Sequence, residues 1–200
     1  MRIVLMYSYL IFSLLGPSDS PSAVTEPGDS QLTVLGVLVG ADTLKTVQEK
    51  LGAAKPCVSE HITRLVYKVG KETVLFESSD IGGGDITGLA LRPSEARPAC
   101  NPSSLRTGLV GLRTDGGVHL GMPRDEFTKM FGSPKRKKQN GTWFYQWLRT
   151  ENLPKSQQQG VAQSFPGLGT TGSVDILTTV KARFSAKGLT YFYISRIKSL

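Results

Sequence analysis

The stretch GADTLKTVQEKLG, residues 40–52, decides how the rest of the chain is read. Leu44, Val47 and Leu51 recur at helical spacing and so share one apolar stripe of a short helix. Asp42 stands where an N-cap acceptor is needed, and Gly52 is the residue type that tolerates the left-handed backbone just past a helix end. A second stretch, GMPRDEFTKMFG at residues 121–132, follows the same plan. Pro123 fits a first helical position, and Asp125 and Glu126 complement the positive end of the helix dipole. Phe127, Met130 and Phe131 form its apolar face, and Gly132 closes it ahead of Pro134.

Strand-like segments surround both helices. Residues 31–39 precede the first and residues 117–120 the second. Behind the first, residues 61–69 and 72–78 alternate in polarity around Gly70-Lys71, a two-residue loop led by glycine that suits a hairpin turn. A loop with Gly82, Gly83 and Gly84 leads to a further strand at residues 86–91. Behind the second helix, residues 135–139 meet residues 142–149 across Asn140-Gly141, the strongest short hairpin signal. A long Gln-, Gly- and Ser-rich loop at 152–172 precedes a final hairpin of residues 174–184 and 189–198. A lone helix buries its stripe by lying on one face of a sheet. The expected fold is therefore α+β, with two tandem units at residues 31–100 and 101–200. Each unit would be a short helix on one face of about three to four antiparallel strands.

This order of strand, glycine, short helix, glycine and hairpin resembles the fold shared by the β-lactamase inhibitor proteins and the SmpA/OmlA-type outer-membrane assembly lipoproteins. The residues that carry the resemblance are Gly121, Met122, Pro123 and Arg124 through Phe131, Gly132, Ser133 and Pro134, and more loosely Gly40 through Leu51 and Gly52. A tandem pair is more similar to the inhibitors than to the single-unit lipoproteins. The chain departs from the lipoproteins in having no Cys behind its apolar leader, and its two cysteines are fewer than the inhibitors' disulfides require. The resemblance implies a fold and a protein-binding habit, without a named partner.

Arg2 followed by an apolar run over residues 3–15 reads as a secretory leader, too short for the roughly 20 residues that span a bilayer. The leader is expected to cover residues 1–23, with cleavage near Ser22 or Ala23 and a flexible mature N-terminus at 24–30. A periplasmic or secreted location follows, and in such a compartment an even pair of cysteines is expected to form a disulfide, Cys57 with Cys100. Of the net charge of +8, residues 1–100 carry 9 Lys/Arg against 11 Asp/Glu and residues 101–200 carry 15 against 5. A basic second half suits an acidic partner surface, an anionic envelope polymer, or solubility alone.

The stretch TWFYQWLR, residues 142–149, is the main candidate site. Alternation in a strand puts Trp143, Tyr145, Trp147 and Arg149 on one side and Phe144 and Leu148 on the other. With Phe144 and Leu148 facing Phe127 and Phe131 of the helix, the other four are expected to line an open face for partner binding, extended by Tyr191 and Tyr193. Lys135, Arg136, Lys137 and Lys138 form the densest charge run, which serves as an anion-binding patch, a steering device or a solvated strand edge. The glycine triplet lacks the Lys-Ser/Thr ending of a phosphate loop. His61 and His119 lack metal-ligand spacing, and no serine has a nucleophile-elbow setting. The expected function is an exported, non-catalytic binding module for an acidic or envelope-associated protein, without cofactor, metal or transmembrane segment and with nucleic acid disfavoured. Binding an anionic envelope polymer through the basic half is the second reading, and an enzyme the third.

Overall fold

The computed structural model describes residues 25–80, 84–95, 100–105, 111–155, 158 and 172–199. The expected leader, Gly82 and Gly83 of the triplet, and most of the 152–172 loop lie outside the described residues. In chain order the elements are α1 (Asp29–Leu32), β1 (Thr33–Val34), β2 (Val37–Leu38), α2 (Leu44–Leu51), β3 (Cys57–Ser59), β4 (Ile62–Val69), β5 (Glu72–Ser79), β6 (Ile86–Pro93), β7 (Ser103–Ser104), α3 (Arg124–Phe131), β8 (Arg136–Lys137), β9 (Thr142–Asn152), β10 (Ser173–Ser185) and β11 (Gly188–Ser199).

The hairpins stand where their turns place them. Ile62 pairs with Ser79 and Val69 with Glu72 around Gly70-Lys71. Arg136 and Lys137 pair with Phe144 and Trp143 across the Asn140-Gly141 turn, and Ser185 pairs with Gly188 at the last one. What joins the hairpins overturns the expected fold class. Leu89 pairs with Ile194, Ala90 with Tyr193 and Leu91 with Phe192, so β6 and β11 run side by side. One nine-stranded sheet results, ordered β3-β4-β5-β6-β11-β10-β9-β8 with β7 beside β4. The protein is strand-dominated, and its helices share a single sheet instead of each lying on its own. The physical reason is edge satisfaction. Apart, β6 and β11 would each present a row of unpaired N–H and C=O groups beside apolar side chains, and pairing them removes both edges.

Three smaller expectations give way as well. Residues 31–39 do not form one strand. They turn sharply at Leu35 and Gly36, with φ of 54° and 73°, to give the β1–β2 hairpin; successive positive φ values are what a two-residue hairpin loop needs. Residues 117–120 make only an isolated bridge, Arg113 to His119. At α2 the N-cap is Thr43, whose Oγ1 accepts from Thr46 N–H at 3.2 Å. Asp42 accepts from Leu38 N–H instead, at 2.8 Å, and pairs with Lys50 at 2.9 Å.

The main core lies on one sheet face. Val47 of α2, Phe127 and Phe131 of α3, and Val34 and Val37 of the small hairpin pack on Tyr67, Phe76, Leu91, Tyr145 and Phe192. A much smaller cluster of Val66, Leu75, Ala90 and Cys100 lies on the other side, with Tyr191 and Tyr193 against it. The Cys57–Cys100 disulfide is formed, with 5.7 Å between Cα atoms, and ties the chain beyond β6 to edge strand β3. Among the described residues no helix is long and apolar enough to cross a membrane.

Both helix ends are fastened to the sheet in the same way. Gly52 N–H closes α2 on Gln48 O at 2.9 Å, and Gly132 N–H closes α3 on Thr128 O at 2.7 Å. The carbonyl of each glycine then accepts from a buried tyrosine, Tyr67 Oη at 2.8 Å and Tyr145 Oη at 3.2 Å. Tyr67→Phe and Tyr145→Phe should each cost about 1 kcal/mol of unfolding free energy in urea, because each strands a carbonyl without its donor. An unchanged midpoint for both would contradict that role. Replacing Cys57 and Cys100 together by Ser should lower stability by up to about 4 kcal/mol, as expected for cutting a cross-link that closes a 43-residue separation; the same urea titration, run on both proteins, checks it.

Candidate functional site

Strand β9 presents its faces the opposite way round from the sequence expectation. Tyr145 is fully buried, with ring centroids 6.1 Å from Phe127 and 6.0 Å from Phe131. Trp143 is buried against Phe184 at 4.9 Å, and Trp147 stacks on Tyr145 at 5.9 Å. Arg149, on the same side, pairs with Glu151 at 2.8 Å and Glu26 at 3.6 Å. The expected open-face quartet therefore lies on the helix-clad face, because the two phenylalanines of α3 need large rings opposite them to fill the layer. Phe144 and Leu148 point the other way, and Leu148 is 68% exposed.

Tyr191 and Tyr193 do reach the open face, since Phe192 and Ile194 between and beyond them fill the main core. The register carries a row across the sheet from Tyr193 through Lys181 to Phe144 and Arg136. Cations and rings alternate along it. Lys181 Nζ sits 4.8 Å from the Tyr193 ring, the Arg136 guanidinium 5.2 Å from Phe144, and Arg183 5.8 Å from Tyr191. The basic tetrad does not act as one patch. Arg136 joins the open face, whereas Lys137 lies over Trp143 at 5.1 Å on the clad side. Lys135 and Lys138 flank the short strand, exposed.

Beyond β11 the face dips into a cavity of about 240 Å³, walled by Arg64, Glu77, Arg92, Cys100, Tyr191 and Tyr193. An adjoining hollow of about 540 Å³ shares Arg92 and Tyr191 and adds Glu95, Arg183 and Thr190. Gly88 shapes the floor. A Cβ there would stand 2.9 Å from the Tyr193 hydroxyl oxygen and 3.2 Å from Glu77 Oε2, so only glycine lets the phenol lie flat across the strand. Glu77 is held by Arg64 at 2.8 Å. Burial, and next the nearby Glu77 charge, push the Tyr193 phenol up to about 12 and raise Tyr191 in the same direction. Both rings therefore stay neutral O–H donors near neutral pH. Arg92 gives Nη1 to Glu95 at 3.0 Å, while its Nε is buried without a hydrogen-bond partner among the described residues.

The other candidates stand apart. His61 Nδ1 meets Asp80 at 3.1 Å in an exposed pair, and His119 Nδ1 meets Gly117 O at 2.9 Å. Among the described residues no three His, Cys, Asp or Glu side chains gather as metal ligands. Residues that the sequence reading passed over are Lys181, Arg183, Arg92 and Arg64. A signal for the first two was present, since they alternate with Val180 and Ala182, both fully buried.

Gly88→Val should lift the Tyr193 ring from its seat while the sheet persists. At about pH 11, between an ordinary tyrosine near 10 and the raised value, the Tyr193 ring resonance should stay at its neutral position in the parent and move to the phenolate position in the variant. Identical titration curves would remove the link between glycine and phenol.

No protein-family model, curated protein or solved structure matches the chain.

Proposed function

We propose that this protein is an exported, non-catalytic binding protein that captures an acidic partner protein on the open face of its sheet. One observation carries the reading: the row Arg136, Phe144, Lys181 and Tyr193, flanked by Arg183 and Tyr191, alternates cations with rings on a face that α1, α2 and α3 leave uncovered. Aromatic and arginine side chains are the groups that anchor protein interfaces. Positive charge around them speeds encounter with an acidic surface and rejects basic ones. The leader-like N-terminus and the Cys57–Cys100 disulfide support a periplasmic or secreted setting. An envelope polymer bound through the lysine-rich turn is the weaker reading, because Arg136 and Lys137 point to opposite faces.

A photo-crosslinking residue in place of Phe144 should trap the partner from the native secreted or envelope fraction. With the purified partner, Lys181→Glu combined with Arg183→Glu should weaken binding by at least about tenfold and flatten its salt dependence. Lys129→Glu, an exposed reversal on α3, should leave it unchanged. Equal affinity of the double reversal and the parent would overturn the proposal.

A further inference from the structure

We infer that Arg92 is the seat for one carboxylate side chain, aspartate or glutamate, of that acidic partner; the inference rests on the open face being a protein-docking surface. Arg92 and Tyr191 form the wall shared by the two hollows, so a group bound there is reached from either side. Among the described residues three guanidinium groups surround the place, and their commitments differ. Arg64 and Glu77 are a closed pair at 2.8 Å, both largely buried. Arg183 lies over Tyr191 and has no carboxylate within ion-pair distance among the described residues. Arg92 is half committed, with Nη1 on Glu95 and an Nε that has found no acceptor.

Glu95 is the chain's own carboxylate in this seat. It comes from three residues along the chain, its side chain is 49% exposed, and an exposed pair of this kind contributes little to stability. A partner carboxylate replaces it like for like at the terminal nitrogens, since Nε is sealed from solvent, and then gains the charge of Arg183 and the neutral Tyr191 hydroxyl. A planar guanidinium accepts a carboxylate through two parallel N–H···O bonds, which a lysine cannot reproduce. A carboxylate that takes the place of Glu95 leaves the local charge as it was, with Arg64, Arg92 and Arg183 against Glu77 and one further carboxylate among the described residues. It sets a single negative charge beside Glu77, whereas a phosphate monoester sets nearly two there at neutral pH.

The test is a titration of the purified chain with an N-acetylated, C-amidated tetraglutamate peptide, observed at the arginine Nε–Hε resonances by NMR. Arg92 Hε should shift saturably with tetraglutamate and stay in place with tetraglutamine and with inorganic phosphate. Arg92→Lys should weaken the peptide about tenfold, the loss of a charge-assisted bidentate contact. Glu95→Gln should tighten it severalfold by vacating the seat, and Glu126→Gln, an exposed acid on α3, should leave it unchanged. Because Glu95 is a surface residue, its variant keeps the test alive should Arg92→Lys fold poorly. A stationary Arg92 signal, no tightening in Glu95→Gln, or an equal response to phosphate would overturn the carboxylate seat. If the seat fails while the double reversal at Lys181 and Arg183 still releases the purified partner, the docking face stands without this anchor. If that reversal is also silent, both proposals fall.

Discussion

The short ladder between β6 and β11 governs what the rest of this protein can be. Gly88, Ala90 and Leu91 on one strand face Ser195, Tyr193 and Phe192 on the other. These hydrogen bonds convert two sets of hairpins into one sheet and fix a common parity across it. Once Leu89, Leu91, Phe192 and Ile194 are turned to the helices, Ala90, Tyr191 and Tyr193 must face away, because successive side chains alternate. A slip of one residue at this junction would drive phenols into the core and leave apolar side chains in water. The same rungs that satisfy the backbone thus set the chemistry of the open face.

The clad face is closed by several independent devices. Tyr67 and Tyr145 tie the helix ends to the sheet, and the ring cluster of Phe127, Phe131 and Phe192 fills the layer beneath α3. At the far end Arg196, buried among Thr178, Pro27 and Asp29, holds the segment just before α1 against the strands. The same guanidinium lies 3.7 Å from Glu26 Oε1. Gly40 lies flat on the Arg196 side chain, where a Cβ would come within 3.1 Å of Cδ. Among the described residues the open face is covered by the chain around Cys100 and by no helix.

Local chemistry was legible in the sequence wherever a short stretch determines it. Gly70-Lys71 and Asn140-Gly141 mark their turns by backbone preference, and the two helices announce themselves by apolar spacing and terminal glycines. The β6–β11 pairing was not legible, since a contact between strands so far apart in the chain has no local marker. The facing of β9 was ambiguous for a different reason: both alternating sets, Trp143, Tyr145 and Trp147 against Phe144 and Leu148, contain large apolar groups. The discriminating residue was Gln146. It shares its side with Phe144, and a polar amide in mid-strand belongs on the face without helices. On β11 the phenols of Tyr191 and Tyr193, set against Phe192 and Ile194, pointed the same way.

A nuclear Overhauser spectrum of the purified chain tests this account most directly, because it reads the junction and the sidedness together. The account predicts cross-strand Hα contacts joining β6 to β11, Phe192 ring protons close to Phe127 and Phe131, and Tyr193 ring protons close to Gly88 and the Lys181 methylenes. Tyr193 contacts to the α3 phenylalanines, or no contacts between β6 and β11, would contradict it.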